Sequence, residues 1–207
     1  VVLIGFAALG VIEDWEGIRR SRGPRGEGIS GRVKFAGQLL LAGVAAGVIS
    51  LYDGGFSFAN QLQLPLIPIV VDIHPVFFVP IAMFIIVGTS NAVNLTDGLD
   101  GLAGIITASA FAAYGVIAYL QGQIFLVQLC FVLVGACFAF LWYNAHPAHL
   151  IMGDTGSLAL GATLGTIAVM SGQWLLLPLI AIVPVAEAMT VILQVASAKY
   201  SRKYLGE

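Results

Sequence analysis

Long apolar runs separated by short polar stretches dominate the chain, and most are long enough to form membrane-crossing helices. Spanning the hydrocarbon takes about 20 residues at about 1.5 Å each. Residues 33–51, 75–93, 102–120, 124–142, 157–170 and 174–197 therefore read as six transmembrane helices. The chain opens on a shorter apolar run, residues 1–12, without the basic flank or small-residue cleavage site of a signal peptide. It reads as the last part of a seventh helix that begins before the sequence does. Gln121-Gly122-Gln123 and Ser171-Gly172-Gln173 read as tight turns, and residues 14–32, 53–74 and 144–155 as longer loops. The predicted fold is all-α: a polytopic integral membrane helix bundle of six full transmembrane helices plus one partial N-terminal helix. Residues 1–207 form one membrane-embedded domain with no internal repeat.

The helices carry their own packing signals. Ala159, Gly161 and Gly165 recur at the small-residue spacing that lets helix backbones approach. The 157–170 span is short, which suits a helix buried within the bundle. Trp142, Tyr143 and Trp174 fall at expected interfaces. Cys130 and Cys137 lie within one apolar span, form no C-x-x-C pair, and read as packing residues. Pro184 predicts a break in the last helix, which would aim Glu187 toward a polar pocket.

Composition supports lipid as the main solvent: 59% of residues are hydrophobic and 10% charged, where a soluble domain carries about 25% charged residues. The net charge of −2 is uninformative, but its distribution is not. The basic residues form two groups, Arg19, Arg20, Arg22, Arg25, Arg32 and Lys34, then Lys199, Arg202 and Lys203. Positive loops mark the cytoplasmic side, and only one parity of crossings puts both groups there. The same parity brings three polar islands to that face: Glu13-Asp14, Asn94 to Asp100, and Gly153 to Ser157. The Arg cluster lacks interleaved aromatics and sits between apolar spans, so nucleic acid is not an expected partner.

Carboxylates kept beside a bilayer usually serve ions or substrates. Asn91, Asn94, Asp97 and Asp100 are spaced by three, so a helical start would stack them along one side. Gly98 and Gly101 leave room for backbone to approach a ligand. The alternative is a turn in which Asp100 caps the helix beginning at Gly101. Asp154, Thr155 or Ser157 can cap the next helix, although a helix N-terminus also attracts phosphate and a carboxylate suits Mg²⁺. Glu13-Asp14 reads as the end of the first helix, where acids oppose the dipole. His146 and His149 precede Asp154 and are candidates for phosphate or metal.

These motifs carry a resemblance. The stretch from Asn91 to Ala103, N-A-V-N-L-T-D-G-L-D-G-L-A, resembles the polyprenyl-phosphate N-acetylhexosamine-1-phosphate transferases. Met152 to Gly161, M-G-D-T-G-S-L-A-L-G, is similar to a second motif of that superfamily, and Glu13-Asp14 stands where it carries paired aspartates. Leu158 to Gly161 and Val191 to Val195 are most similar to its phospho-N-acetylmuramoyl-pentapeptide transferase family. Gly17 replaces a common lysine and Ile151 a common phenylalanine. The resemblance implies a fragment, without the family's N-terminal helices, C-terminal His-rich loop and last helix.

What the resemblance implies is a Mg²⁺-dependent enzyme of the bacterial inner membrane with its site on the cytoplasmic face. It would transfer phospho-N-acetylmuramoyl-pentapeptide from its UDP derivative to undecaprenyl phosphate, releasing UMP, in peptidoglycan synthesis. Asp154 would be the Mg²⁺ ligand; Glu13 and Asp14 would position or deprotonate the lipid phosphate. Asn94, Asp97, Gly98 and Asp100 would hold the nucleotide-sugar, Asp100 near uracil, with Lys34 countering phosphate charge and His149 a further substrate contact. The expected partners are those two substrates, membrane lipid and a second copy of the chain. Two alternatives stay open. One is a UDP-GlcNAc or related sugar-1-phosphate transferase for teichoic acid or O-antigen; the other, more distant, is a cation transporter using Asp97, Asp100, Asp154 and Glu187.

Overall fold

The computed structural model of the chain describes residues 1–21, 30–52, 56–65, 67 and 69–204. Arg22, Arg25, Asp53 and Pro68, assigned above to loops, lie outside the described residues. The helices are α1 (Val2–Ser21), α2 (Gly31–Leu51), α3 (Pro75–Thr96), α4 (Leu102–Leu120), α5 (Ile124–Asn144), α6 (Gly153–Met170), α7 (Leu177–Ile180) and α8 (Ile182–Tyr204). Five of them, α2, α3, α4, α5 and α8, are long and apolar enough to cross a membrane. The expected sixth span, α6, is not among the five. Asp154, four glycines and four Ser or Thr residues dilute its apolarity, and protein rather than lipid surrounds it. From Ser157 to Met170 every residue except Leu160 is buried.

α6 is the hub of the bundle, lying against α1 and α3. Its small residues permit the approach. A Cβ on Gly161 would come within 2.6 Å of the Thr89 carbonyl oxygen, and one on Gly165 within 3.0 Å of the Ile86 Cα. The Ser90 hydroxyl donates to the Leu158 carbonyl across the same contact at 3.0 Å. Phe6, Ala42, Ala45, Ile86, Val87, Leu158, Ala159 and Ala162 form one apolar core where α1, α2, α3 and α6 meet. A second core joins α3, α4, α5 and α6 around Phe78, Phe111, Tyr114, Leu126 and Ile167. It includes Cys130 and Cys137, both buried and free, as the packing reading expected.

Three local expectations are corrected. First, α1 continues through the acidic pair to Ser21, so Glu13 and Asp14 lie within a helix rather than at its end. An i,i+3 contact of 3.9 Å between Arg19 and Glu16 accompanies that last turn, where cations also suit the dipole. Second, Asn91 and Asn94 lie near the end of α3, not at a helix start, and Asp97 is the C-cap. The Asn/Asp motif therefore turns a corner instead of forming one stack. Third, the 53–74 loop contains an antiparallel hairpin, β1 (Gln61–Gln63) with β2 (Val70–Asp72). Gln63 fastens it to the bundle, accepting from Gln121 at 3.0 Å and Gln173 at 2.7 Å.

The break that Pro184 predicted in the 174–197 span is present, just upstream of the proline. A 3-10 turn at Trp174–Leu176 leads into α7, and α8 begins after Ala181. Pro184 has no N–H for the Ile180 carbonyl, and its ring crowds the preceding turn. Little of α8 is buried.

Candidate active site

Four helices converge at the end of the bundle where α1's acidic pair, the start of α2, the end of α3 and the start of α6 meet. The first contact is made by Asp14. Its Oδ1 accepts the Asp154 backbone N–H at 3.1 Å, and its Oδ2 accepts the Thr155 N–H at 3.0 Å and the Thr155 hydroxyl at 2.6 Å. α6 is thus capped from another helix, not by its own Asp154, Thr155 or Ser157. Those amide donors are committed to Asp14, which removes them as the phosphate anchor anticipated from a helix N-terminus. Gly153 makes the approach possible: its φ is +65°, and a Cβ there would lie 3.0 Å from an Asp14 carboxylate oxygen.

With α6 held this way, the Asp154 carboxylate turns between α2 and α3. Asn94 Nδ2 donates to Asp154 Oδ1 at 2.7 Å and to the Ser157 hydroxyl at 2.9 Å. Lys34 Nζ donates to Asp154 Oδ2 and to Glu13 Oε1, the latter at 3.1 Å. The three charged side chains are 16–23% exposed, so they are partly screened but not sealed from water. Charge-assisted bonds of this kind are stronger than neutral ones. Glu13 Oε2 is the exception: it is buried with no hydrogen-bond partner among the described residues.

Asp97 adds a fourth carboxylate. Partial burial pushes its pKa up to about 6; a backbone bond from Gly153 opposes the shift, and the nearby Asp154 and Asp14 charges reinforce it. Four acids therefore share one lysine, a field that favours a cation.

The remaining expected residues separate from this cluster. Asp100 does not cap α4; it accepts the Ala148 N–H at 3.1 Å and pairs with His146 Nδ1 at 3.0 Å, tying down the loop before α6. Both bonds hold its carboxyl below the usual range. Gly98 has nothing within 4 Å of where a Cβ would sit, so space for a ligand is present. His149 is exposed; its backbone donates to the Tyr143 carbonyl at 2.8 Å. Glu187, half-buried on α8, makes none of the hydrogen bonds of the cluster.

Two side chains were missed in the sequence. Gln38, almost fully buried, exchanges amide hydrogen bonds with Asn91. Asn144 joins the Gly101 N–H at 3.0 Å to the Leu150 carbonyl at 2.8 Å. A glutamine inside an apolar run is expensive unless satisfied, and that was the available signal for Gln38.

Among the described residues, no three His, Cys, Asp or Glu side chains form a cage that would hold a metal alone. The set nonetheless fits Mg²⁺, which binds through one or two carboxylates and completes its shell with water and phosphate. Asp154 and the uncommitted Glu13 Oε2 are hard oxygen donors of the right kind. Beside the cluster, an apolar groove of about 430 Å³ runs between α2 and α3, lined by Phe35, Leu39, Pro80, Met83, Phe84, Val87, Gly88 and Asn91.

The chain is similar to the phospho-N-acetylmuramoyl-pentapeptide-transferase of Chloroflexus aurantiacus, 46% identical over 211 residues that cover 100% of the chain and 56% of the relative. It is 44% identical over 211 residues to the protein of that name from Chloroflexus aggregans, again covering 56% of it. It is 41% identical over 221 residues to that from Citrifermentans bemidjiense, covering 98% of the chain and 59% of the relative. The chain thus spans somewhat more than half the length of these curated relatives. The model of glycosyl transferase family 4 matches residues 1–172, which takes in every member of the convergent cluster, and the chain belongs to that family.

Proposed function

We propose that the protein transfers phospho-N-acetylmuramoyl-pentapeptide from its UDP derivative to undecaprenyl phosphate and releases UMP. The observation that carries this reading is the meeting of Glu13, Asp14, Lys34, Asn94 and Asp154 beside an apolar groove. A lipid acceptor needs lateral access from hydrocarbon, and a nucleotide donor needs access from water. A polar cluster with an apolar groove at its flank offers both. The names of the relatives support the sugar, and the basic groups support a cytoplasmic site in a bacterial inner membrane.

In this mechanism an oxygen of the lipid monophosphate forms a bond to the β-phosphorus of the nucleotide-sugar. The bond from that phosphorus to the bridging oxygen breaks, and UMP departs with the electron pair. A monoester phosphate has its second pKa near about 6, so the attacking group is largely ionised at neutral pH. Phosphoryl transfer is mainly positioning and charge stabilisation. Mg²⁺, when bound, neutralises diphosphate charge. Asp154 would hold it, with Glu13 as second oxygen donor. Lys34 stands between those acids and would counter phosphate charge. Asn94 orients Asp154, while Asp14 holds the α6 backbone beneath it. Asp97 and Gly98 border the space left for the nucleotide-sugar, whereas Asp100 and His149 belong to its rim.

The test is reconstitution of the full-length protein with undecaprenyl phosphate, Mg²⁺ and either labelled UDP-N-acetylmuramoyl-pentapeptide or labelled UDP-GlcNAc. Lipid-linked label and UMP are expected from the first donor only, and only with the divalent cation. Transfer from UDP-GlcNAc alone would overturn the sugar assignment. Metal flux in vesicles without UMP release would overturn the enzyme assignment.

A further inference from the structure

The pair Gln38–Asn91 lies outside the charged cluster. Gln38 is 1% exposed, the most deeply buried amide side chain in the described bundle. Its Oε1 accepts from Asn91 Nδ2 at 2.8 Å, and its Nε2 donates to Asn91 Oδ1 at 3.3 Å. Asn91 Nδ2 also donates to the Val87 carbonyl of its own helix at 2.8 Å. Both amides therefore have partners, and neither is free to bind a ligand.

Their positions along the helices give the pair its meaning. Gln38 lies four residues from Lys34 on α2, and Asn91 lies three residues from Asn94 on α3. Residues three and four apart share a helix face. One turn from the amide pair, α2 therefore presents Lys34 and α3 presents Asn94, and both donate to the same Asp154 carboxylate. The groove-side surface around the pair offers no directional contact to set that register. It is lined by Leu39, Met83, Phe84 and Val87, whose contacts are apolar and non-directional. A reciprocal amide pair does not slide, because a shift leaves buried donors and acceptors unmet, at about 1–3 kcal/mol each.

We propose that Gln38 is a positioning residue: its amide pair with Asn91 fixes α2 on α3 in the register that delivers Lys34 and Asn94 together to Asp154. The inference rests on the proposed function for its effect on turnover, but its structural half does not.

The experiment follows the Lys34 ammonium in the full-length protein labelled with ¹⁵N-lysine, the signal assigned by Lys34→Arg, with Asp154→Asn defining the broken contact. Gln38→Leu and the milder Gln38→Asn are compared with the exchanged pair Gln38→Asn/Asn91→Gln, which retains the summed side-chain length. In the folded single variants the Lys34 signal moves toward its Asp154→Asn position. Turnover falls at least about 10-fold, in kcat rather than KM, since misplacement near 1 Å costs on the order of 10²-fold. The exchanged pair restores both to within about threefold of the parent, on the same positional argument. If Gln38→Leu does not fold, Gln38→Asn and its rescue decide the matter. A folded single variant with an unmoved Lys34 signal, unchanged kcat, or no rescue by exchange would overturn the proposal. Absence of turnover in the parent would instead count against the function, leaving the Lys34 signal to decide the register.

Discussion

Gly10→Ala tests whether the close crossing of α1 and α6 builds the site. A methyl carbon on Gly10 would sit 2.5 Å from the Asp154 carbonyl carbon and from the Thr155 Cα. Carbon atoms settle at about 3.5–4.0 Å apart, so the two helices must part by about 1 Å. Both obstacles are backbone, and no rotamer change relieves them. Glu13 and Asp14 follow Gly10 by three and four residues and must move with it. Asp14's three hydrogen bonds to α6, now 2.6–3.1 Å, would lengthen beyond useful range. Overpacking of this kind costs about 1–3 kcal/mol, and displacement of the acids lowers turnover on the order of 10²-fold. The control lies on the same helix: Gly17 has nothing within 4 Å of a Cβ, so Gly17→Ala should be neutral or stabilising by up to about 1 kcal/mol. Thermal unfolding in detergent and UMP release in the full-length protein measure both variants. A Gly10→Ala protein with parental Tm and turnover would refute the argument that the crossing is fixed by backbone contact.

Asp154→Asn should abolish divalent-dependent UMP release while the protein stays folded; retained turnover would remove Asp154 from the metal site. Asp14→Ala strips α6 of its cap and should lower stability by about 1–2 kcal/mol as well as turnover, measured by denaturation and UMP release. An unchanged denaturation midpoint would show that α6 needs no partner in α1. Asp97 has a raised pKa, so the stability it contributes is complete below about pH 4 and is lost as pH rises through about 6. Asp97→Asn should therefore raise Tm more at pH 8 than at pH 4.5, and equal shifts at the two pH values would contradict the burial argument.

Helix positions were legible because apolar runs of crossing length leave few alternatives, and α4 was delimited to the residue by its flanking turns. The spacing of Gly161 and Gly165 announced a close helix crossing, though not that its partner is α3. The convergence of Glu13-Asp14 with Asp154 followed from counting crossings. What could not be read was which partner each acid takes. Asp14 caps a helix 140 residues away, and Asp100 holds a loop rather than its own helix; both depend on tertiary contacts that no local pattern encodes. The end of α1 was misjudged for a related reason. Hydropathy falls at Glu13, but a helix ends where its backbone loses partners, not where its side chains become polar.

α6 has a consequence for how the bundle is assembled. A segment carrying an aspartate, four glycines and four hydroxyl residues gains little from lipid alone, so its residence in the bilayer is a collective property. During biogenesis it would be retained only once α1 and α3 offer a groove of small residues and a carboxylate for its exposed amides. The helix whose place depends on its neighbours is also the one that carries Asp154, so that carboxylate takes its position only with α1 and α3 around it.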